Sequence, residues 1–304
     1  MLKGSEDSNK ENYSTASIGE NITLEGWSGI FITHQNYKAH GILVNMYGTI
    51  KAVDDTSGGP GIGIYVNGNI KHENNSPIIN LTNTTKITST GNGIYSAGFA
   101  SYNINGAYIE GIESGLAIKS GIFNIKNGTI IGTGEDKTPT SSNNNGINAS
   151  GTAIQIESNP HYQGNIELNI ENGTIKSKKS YTIYEYTVNN NPTQVKKISI
   201  TGGTYESSPN KSVFSFSENF KSTHNNFIFG GTYTSNPKEY LKKDYQVTQN
   251  KNNYEVKHVF KENNQTEEQN KNNNIILTLT LIISTIIFTT SLIFINKRKI
   301  YVIF

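Results

Sequence analysis

One short phrase recurs along this chain. FNIKNGTIIG from Phe123, LNIENGTIKS from Leu168, ISITGGTYES from Ile198, LVNMYGTIKA from Leu43 and FIFGGTYTS from Phe227 vary a single pattern. Alternating apolar residues lead to Asn or Gly in four of the five, then to Gly-Thr and Ile or Tyr. In FNIKNGTI, Phe123 and Ile125 fall on one side and Asn124 and Lys126 on the other, the alternation of a half-buried strand. Asn127-Gly128 then bends the chain, because both residues tolerate positive φ. Asn-Gly between alternating runs is also a strong hairpin signal. A hairpin, however, needs a return strand as long as the first, and here the runs after the bend stop within two or three residues, as in TIIGTG and TIKSKKS.

A second phrase lies between copies of the first: GIGIYV at Gly61, GNGIYS at Gly91, SGLAIK at Ser114, GTAIQI at Gly151, SYTIYEY at Ser180 and KSVFSF at Lys211. Gly106, Gly128, Gly173, Gly203 and Gly231 mark the first phrase at intervals of 22, 45, 30 and 28 residues, with Gly151 near the middle of the long gap. Repeats this short cannot bury an apolar face alone and must stack on their neighbours. A propeller blade needs about 40 to 45 residues and four strands, which these intervals do not offer. The expected fold is all-β, a right-handed parallel β-helix (solenoid) of roughly nine rungs with a C-terminal transmembrane helix. The stretch from about residue 20 to 258 resembles the pectin-lyase-like β-helices, and in particular the repeat-rich surface proteins of Gram-positive bacteria. That resemblance rests on the G-G-T-Y and N-G-T-I phrases and on the ending FGGTYTSNPKEYLKKDYQVTQNKNNYEV. Within the ending, NPKEYLKKDY reads as a short helix and YQVTQNKNNYEVKHV as a strand pair that covers the open end of the stack.

Composition agrees with strands and excludes several activities. The 304 residues include 29 Gly and 17 Tyr, no Cys, and a net charge of +2 with 16% charged residues. There is no basic field for nucleic acid and no disulfide framework or Cys-type metal site. Arg298 is the only arginine, so nothing in the first 297 residues can clasp a carboxylate or phosphate with a guanidinium fork.

The sequence divides into an N-terminal segment 1–20, a β-helix 21–235, a C-terminal cap 236–258, a polar linker 259–274, an apolar span 275–295 and a short tail 296–304. The span, Ile275 to Ile295, is 21 uncharged residues, enough to cross a bilayer as a helix. Lys297, Arg298 and Lys299 follow it, so the positive-inside bias places the tail in the cytoplasm and the body outside. The expected localisation is therefore the cell membrane, single-pass, with the lipid bilayer as one partner. MLKGSEDSNKENYS carries no apolar export signal, which suggests a frame that starts late. The tail also resembles a sortase sorting signal, with Asn263 to Glu267 at the motif position. It lacks that motif's proline, and a plain membrane anchor is the better reading.

Candidate chemistry is sparse. Asp54-Asp55 resembles the acid pair of polygalacturonases, but the companion His-Gly and Arg-Ile-Lys phrases are missing, and a solvated turn is the simpler reading. GGPGIG precedes a strand rather than a helix and is no phosphate loop. His34, His40, His72, His161, His224 and His258 show no metal-ligand spacing. No cofactor, metal or catalytic residue is assigned. If Ile64, Ile94, Ile118, Ile154 and Ile183 point inward, then Tyr65, Tyr95, Lys119, Gln155 and Tyr184 point out and form a partly aromatic strip across the rungs. Such a strip suits the apolar faces of sugar rings, and Tyr65, Tyr95 and Tyr184 are the candidate glycan-binding residues. Its alternatives are ordinary cross-rung stacking and cover by a loop such as 141–148. The expected function is a non-catalytic, adhesin-like or glycan-binding surface protein. A polysaccharide lyase or glycosidase of the same fold and a structural stalk are the other readings.

Overall fold

The computed structural model describes residues 4–33, 41–68, 75–137, 150–162, 164–188, 192–259 and 275. The chain separates into two units, 1–259 and 260–304. The anticipated span 275–295, the tail 296–304, the motif at 263–267 and the loop 141–148 lie outside the described residues, except for Ile275, which is exposed. Among the described residues no helix is long and apolar enough to cross a membrane.

The first unit is built from short strands that repeat in threes. They are β1 (Ser14–Ile18), β2 (Thr23–Gly26) and β3 (Ser28–Thr33), then β4 (Ile42–Met46), β5 (Thr49–Ala52) and β6 (Ile62–Asn67), then β7 (Ile78–Leu81), β8 (Lys86–Ser89) and β9 (Asn92–Ser96). In the next two coils the first two strands merge, giving β10 (Ser101–Gly111) with β11 (Ser114–Ile118) and β12 (Gly121–Gly132) with β13 (Thr152–Ser158). There follow β14 (Ile166–Ile170), β15 (Thr174–Ser177) and β16 (Ile183–Thr187), then β17 (Val195–Ile200), β18 (Thr204–Glu206) and β19 (Phe214–Ser215). The set closes with β20 (Gly231–Tyr233), β21 (Tyr245–Asn250) and β22 (Asn253–His258).

From β1 to β20 each strand pairs in parallel with its counterpart one coil away, which makes three columns. The first runs β1-β4-β7-β10-β12-β14-β17. The second runs β2-β5-β8-β10-β12-β15-β18-β20. The third, a separate sheet of seven strands, runs β3-β6-β9-β11-β13-β16-β19. This parallel, many-stranded architecture is compatible with a β-solenoid. It has seven complete coils, fewer than the nine anticipated, and the 45-residue interval from Gly128 to Gly173 is a single loop-bearing coil, since Thr129 and Thr174 are register partners.

The recurring phrase forms the corner between the first two columns. Its apolar residues point inward and stack: Val44, Ile79, Tyr102, Phe123, Leu168 and Ile198 share one register position and are all buried. The Tyr102 and Phe123 rings lie parallel with centroids 4.2 Å apart. Asn-Gly does not end the strand at Asn127-Gly128. β12 runs through it, and the corner appears as a shift of register opposite Asn105 and Ala107. The outward residue of the phrase builds a ladder on the first column. Asn80 donates to Asn45 (2.9 Å), Asn103 to Asn80 (2.9 Å), Asn124 to Asn103 (3.3 Å) and Asn169 to Asn124 (3.0 Å).

In the closing stretch the helix is one 3-10 turn, Lys238–Tyr240, shorter than NPKEYLKKDY suggests. β21 and β22 pair antiparallel, and β22 also pairs antiparallel with β20, taking up the edge of the last short strand.

Candidate functional site: the outer face of the third column

The register of the third column decides which side chains share its outer face. Phe31, Tyr65, Tyr95, Ala117, Gln155, Tyr184 and Ser215 occupy one position. Lys119 therefore does not belong to the strip. In its coil the inward counterpart of Ile94 is Leu116, so Ala117 is the strip residue and Lys119 stands two positions further along.

The aromatic strip is consequently in two pieces. In the first three coils, Phe31 and Tyr65 have ring centroids 5.0 Å apart and Tyr65 and Tyr95 5.1 Å apart, and the Trp27 and Tyr65 rings meet near a right angle with centroids 6.0 Å apart. Exposure falls along this row. Phe31 is 53% exposed and Trp27 37%, Tyr65 is half-buried, and Tyr95 is only 2% exposed. Tyr95 does point away from the main core, but it lies in a small second apolar cluster with Ile62, Ala97, Ala117 and Tyr162. A ligand cannot reach it there, so the bare strip of Tyr65, Tyr95 and Tyr184 does not exist as one surface. Burial raises the Tyr95 phenol far above its ordinary value and pushes Tyr162 up to about 12, while Tyr65 is raised for the same reason. The second piece is Tyr184, half-buried, with Tyr181 and Tyr186 at 5.9 and 5.8 Å.

Phe31 and Trp27 were not among the anticipated residues. The signal was present, since Gly29-Ile30-Phe31 has the same Gly-Ile-aromatic form as Gly63-Ile64-Tyr65 and Gly93-Ile94-Tyr95.

Between the two aromatic pieces lies a buried polar cluster. Lys119 pairs with Glu157, both side chains being 2% exposed, and its ammonium lies 4.9 Å from the Tyr162 ring centroid and 5.4 Å from that of Tyr95. Glu157 also accepts hydrogen bonds from Asn159 (2.8 Å) and Tyr186 (2.7 Å). Burial lowers the Lys119 pKa, and the Glu157 carboxylate works against that shift. Glu185, on the next strand, is in register with Ile156, so it alternates to the inward side. It accepts from Ser158 (3.3 Å), Thr193 (3.4 Å) and both the backbone (3.1 Å) and hydroxyl (2.7 Å) of Ser217. Its pKa is raised by burial despite those donors.

The remaining candidates are placed as follows. Asp55 closes its own turn, accepting from the Ser57 backbone (2.8 Å) and hydroxyl (2.9 Å) and from Gly59 (2.8 Å), and the Gly59 and Ser57 donors hold its pKa down. Asp54 does not share in that turn's bonds; its charge acts on Glu113 across the corner. His34, His40 and His72 lie outside the described residues, whereas His224 stacks on Phe220 and His258 meets the Tyr245 ring edge-on. Among the described residues no group of three or more His, Asp or Glu side chains is arranged to hold a metal ion.

No protein-family model, curated protein or solved structure matches this chain.

Proposed function

We propose that the chain is a right-handed parallel β-helix of the pectin-lyase-like kind, anchored in a bacterial cell membrane through 275–295. In this reading it binds a neutral or weakly charged glycan polymer on its outer surface without cleaving it. The observation that carries this reading is the pair of exposed rings on the first coil, Trp27 and Phe31, both in contact with the half-buried Tyr65 of the next coil, which together offer an aromatic surface. The want of arginine before Arg298 favours a ligand without strong negative charge. Tyr184, with Tyr181, is a second, lesser contact further along the face.

A polysaccharide-cleaving reading would turn to the buried carboxylates Glu157 and Glu185. They face opposite sides of their sheet, and both are occupied by protein donors, which argues for a structural use. The test is retention of the full-length chain on an array of polymeric glycans. Replacing Trp27 and Phe31 together with Ala should weaken binding by about 1–3 kcal/mol, one increment per ring, while far-UV circular dichroism stays unchanged. A double variant that binds as the parent does removes the aromatic surface from the account. A parent that binds no glycan at all leaves the stalk reading in its place.

A further inference from the structure

The polar cluster beside Tyr95 and Tyr162 sets an amine and a carboxamide on the two oxygens of one carboxylate, away from water. Ile118 and Ile156 are in register on β11 and β13, so the next residues, Lys119 and Glu157, stand side by side on adjacent coils. Asn159 lies just past the end of β13. Lys119 and Glu157 are each 1% exposed and Asn159 is 2% exposed. One Glu157 oxygen, Oε2, meets Lys119 Nζ, and the other, Oε1, accepts from Asn159 Nδ2 at 2.8 Å. On the far side of the same carboxamide, the backbone N–H of His161 donates to Asn159 Oδ1 at 3.1 Å. The Gln194 side chain accepts from the Asn159 backbone N–H at 2.7 Å and fixes the residue in place.

We propose that Lys119 and Asn159 condense to an intramolecular isopeptide bond, with Glu157 carrying the proton. The Glu157 carboxylate takes a proton from the Lys119 ammonium, and the freed Nζ lone pair forms a bond to Asn159 Cγ. The carbonyl electron pair moves onto Oδ1, where the His161 N–H is already placed to hold the developing negative charge. Collapse restores the carbonyl and breaks the Cγ–Nδ2 bond. Glu157 returns its proton to Nδ2, the surplus proton on Nζ follows by the same route, and the nitrogen leaves as ammonium. One C–N bond forms and one breaks, nothing is oxidised or reduced, and Glu157 ends as it began. The surroundings favour each stage. Burial lowers the Lys119 pKa and so favours the neutral amine, and Glu157 lies within hydrogen-bond reach of both reacting groups. The product ties the fourth coil to the fifth on the outside of the third column.

Mass spectrometry of the full-length chain tests this. The parent should be lighter than its sequence by one ammonia, about 17 Da. Trypsin should leave Lys119 uncut and yield a branched peptide joining Lys119 to Asn159. Glu157→Gln and Lys119→Met should each have the full mass, with circular dichroism showing that they fold. An Asn-Gly step such as Asn127-Gly128 can also lose ammonia by cyclising on the next backbone nitrogen, but Asn159 precedes Pro160, which has no N–H to attack with. A parent of full mass cleaved normally after Lys119 overturns the proposal. So does a mass loss that persists in Lys119→Met.

Discussion

At the scale of single residues, the corner between the second and third columns holds a carboxyl whose charge the fold disfavours. Burial pushes Glu113 up to about 7 from its ordinary 4.5, with the Asn92 hydrogen bond (3.0 Å) and the charge of Lys137 acting against the shift and that of Asp54 adding to it. Asn92 is fully buried and also accepts from Ser114 at 2.5 Å, so its side chain is held in position. The folded chain binds the Glu113 proton more tightly than the unfolded chain does. Stability from this group is therefore complete below about pH 4.5, is lost as pH rises towards about 7, and stays level beyond it. Glu113→Gln keeps an acceptor for Asn92 but carries no charge. In urea unfolding it should gain about 1–3 kcal/mol over the parent at pH 8 and nothing at pH 4.5. An equal effect at both pH values would show that Glu113 is not protonated by its surroundings. No single-sequence pattern marks this residue, because its desolvation comes from coils before and after it in the stack.

At the scale of elements, the repeated Gly of the phrase has two reasons to be glycine. Gly128 and Gly173 have φ of +140° and +123°, a region that side chains seldom allow. They also stack, so that a Cβ on Gly173 would lie 2.6 Å from the Gly128 carbonyl oxygen. Neither the backbone nor the coil beneath can give way. Gly173→Ala should destabilise the protein by at least about 1–3 kcal/mol from conformation alone, with the clash added, and thermal unfolding measures it. A change below about 0.5 kcal/mol would mean that the corner is looser than its geometry implies. The strands themselves were legible for the same reason. Inward residues such as Phe123 and Ile125 alternate with Asn124, and that alternation needs no knowledge of partners. What could not be read was the exact register. SGLAIK offers both Leu116 and Ile118 as inward residues, and only pairing with β9 and β13 shows that Ala117 completes the strip. The same limit hid the cover over Tyr95, since Tyr162 comes to it from 67 positions along the chain.

At the scale of the first unit, stability comes from the repetition of one coil, because each coil buries its apolar residues only against its neighbours. The two ends differ. From the end of the seventh coil onward Phe214, Phe216, Phe220, Phe227, Tyr233 and Tyr240 pack together within the core, and β22 pairs with β20. At the first coil Ile18, Leu24 and Ile30, which take inward positions, are only partly buried. All of this, the aromatic surface and the Lys119 cluster included, depends on strands pairing in parallel with the next coil rather than folding back at each Asn-Gly. The chain has no cysteine, so introduced pairs can test that directly. Asn103 and Asn124 are register partners on adjacent parallel strands, about 4.8 Å apart and inside the range a disulfide spans. Asn124 and Ile131 would face each other if Asn127-Gly128 turned a two-residue hairpin, but they lie far apart along the single strand β12. The double variant Asn103→Cys with Asn124→Cys should form an intramolecular disulfide under mild oxidation, and Asn124→Cys with Ile131→Cys should remain reduced. Cross-linking of the second pair and not the first would contradict the stacked coil.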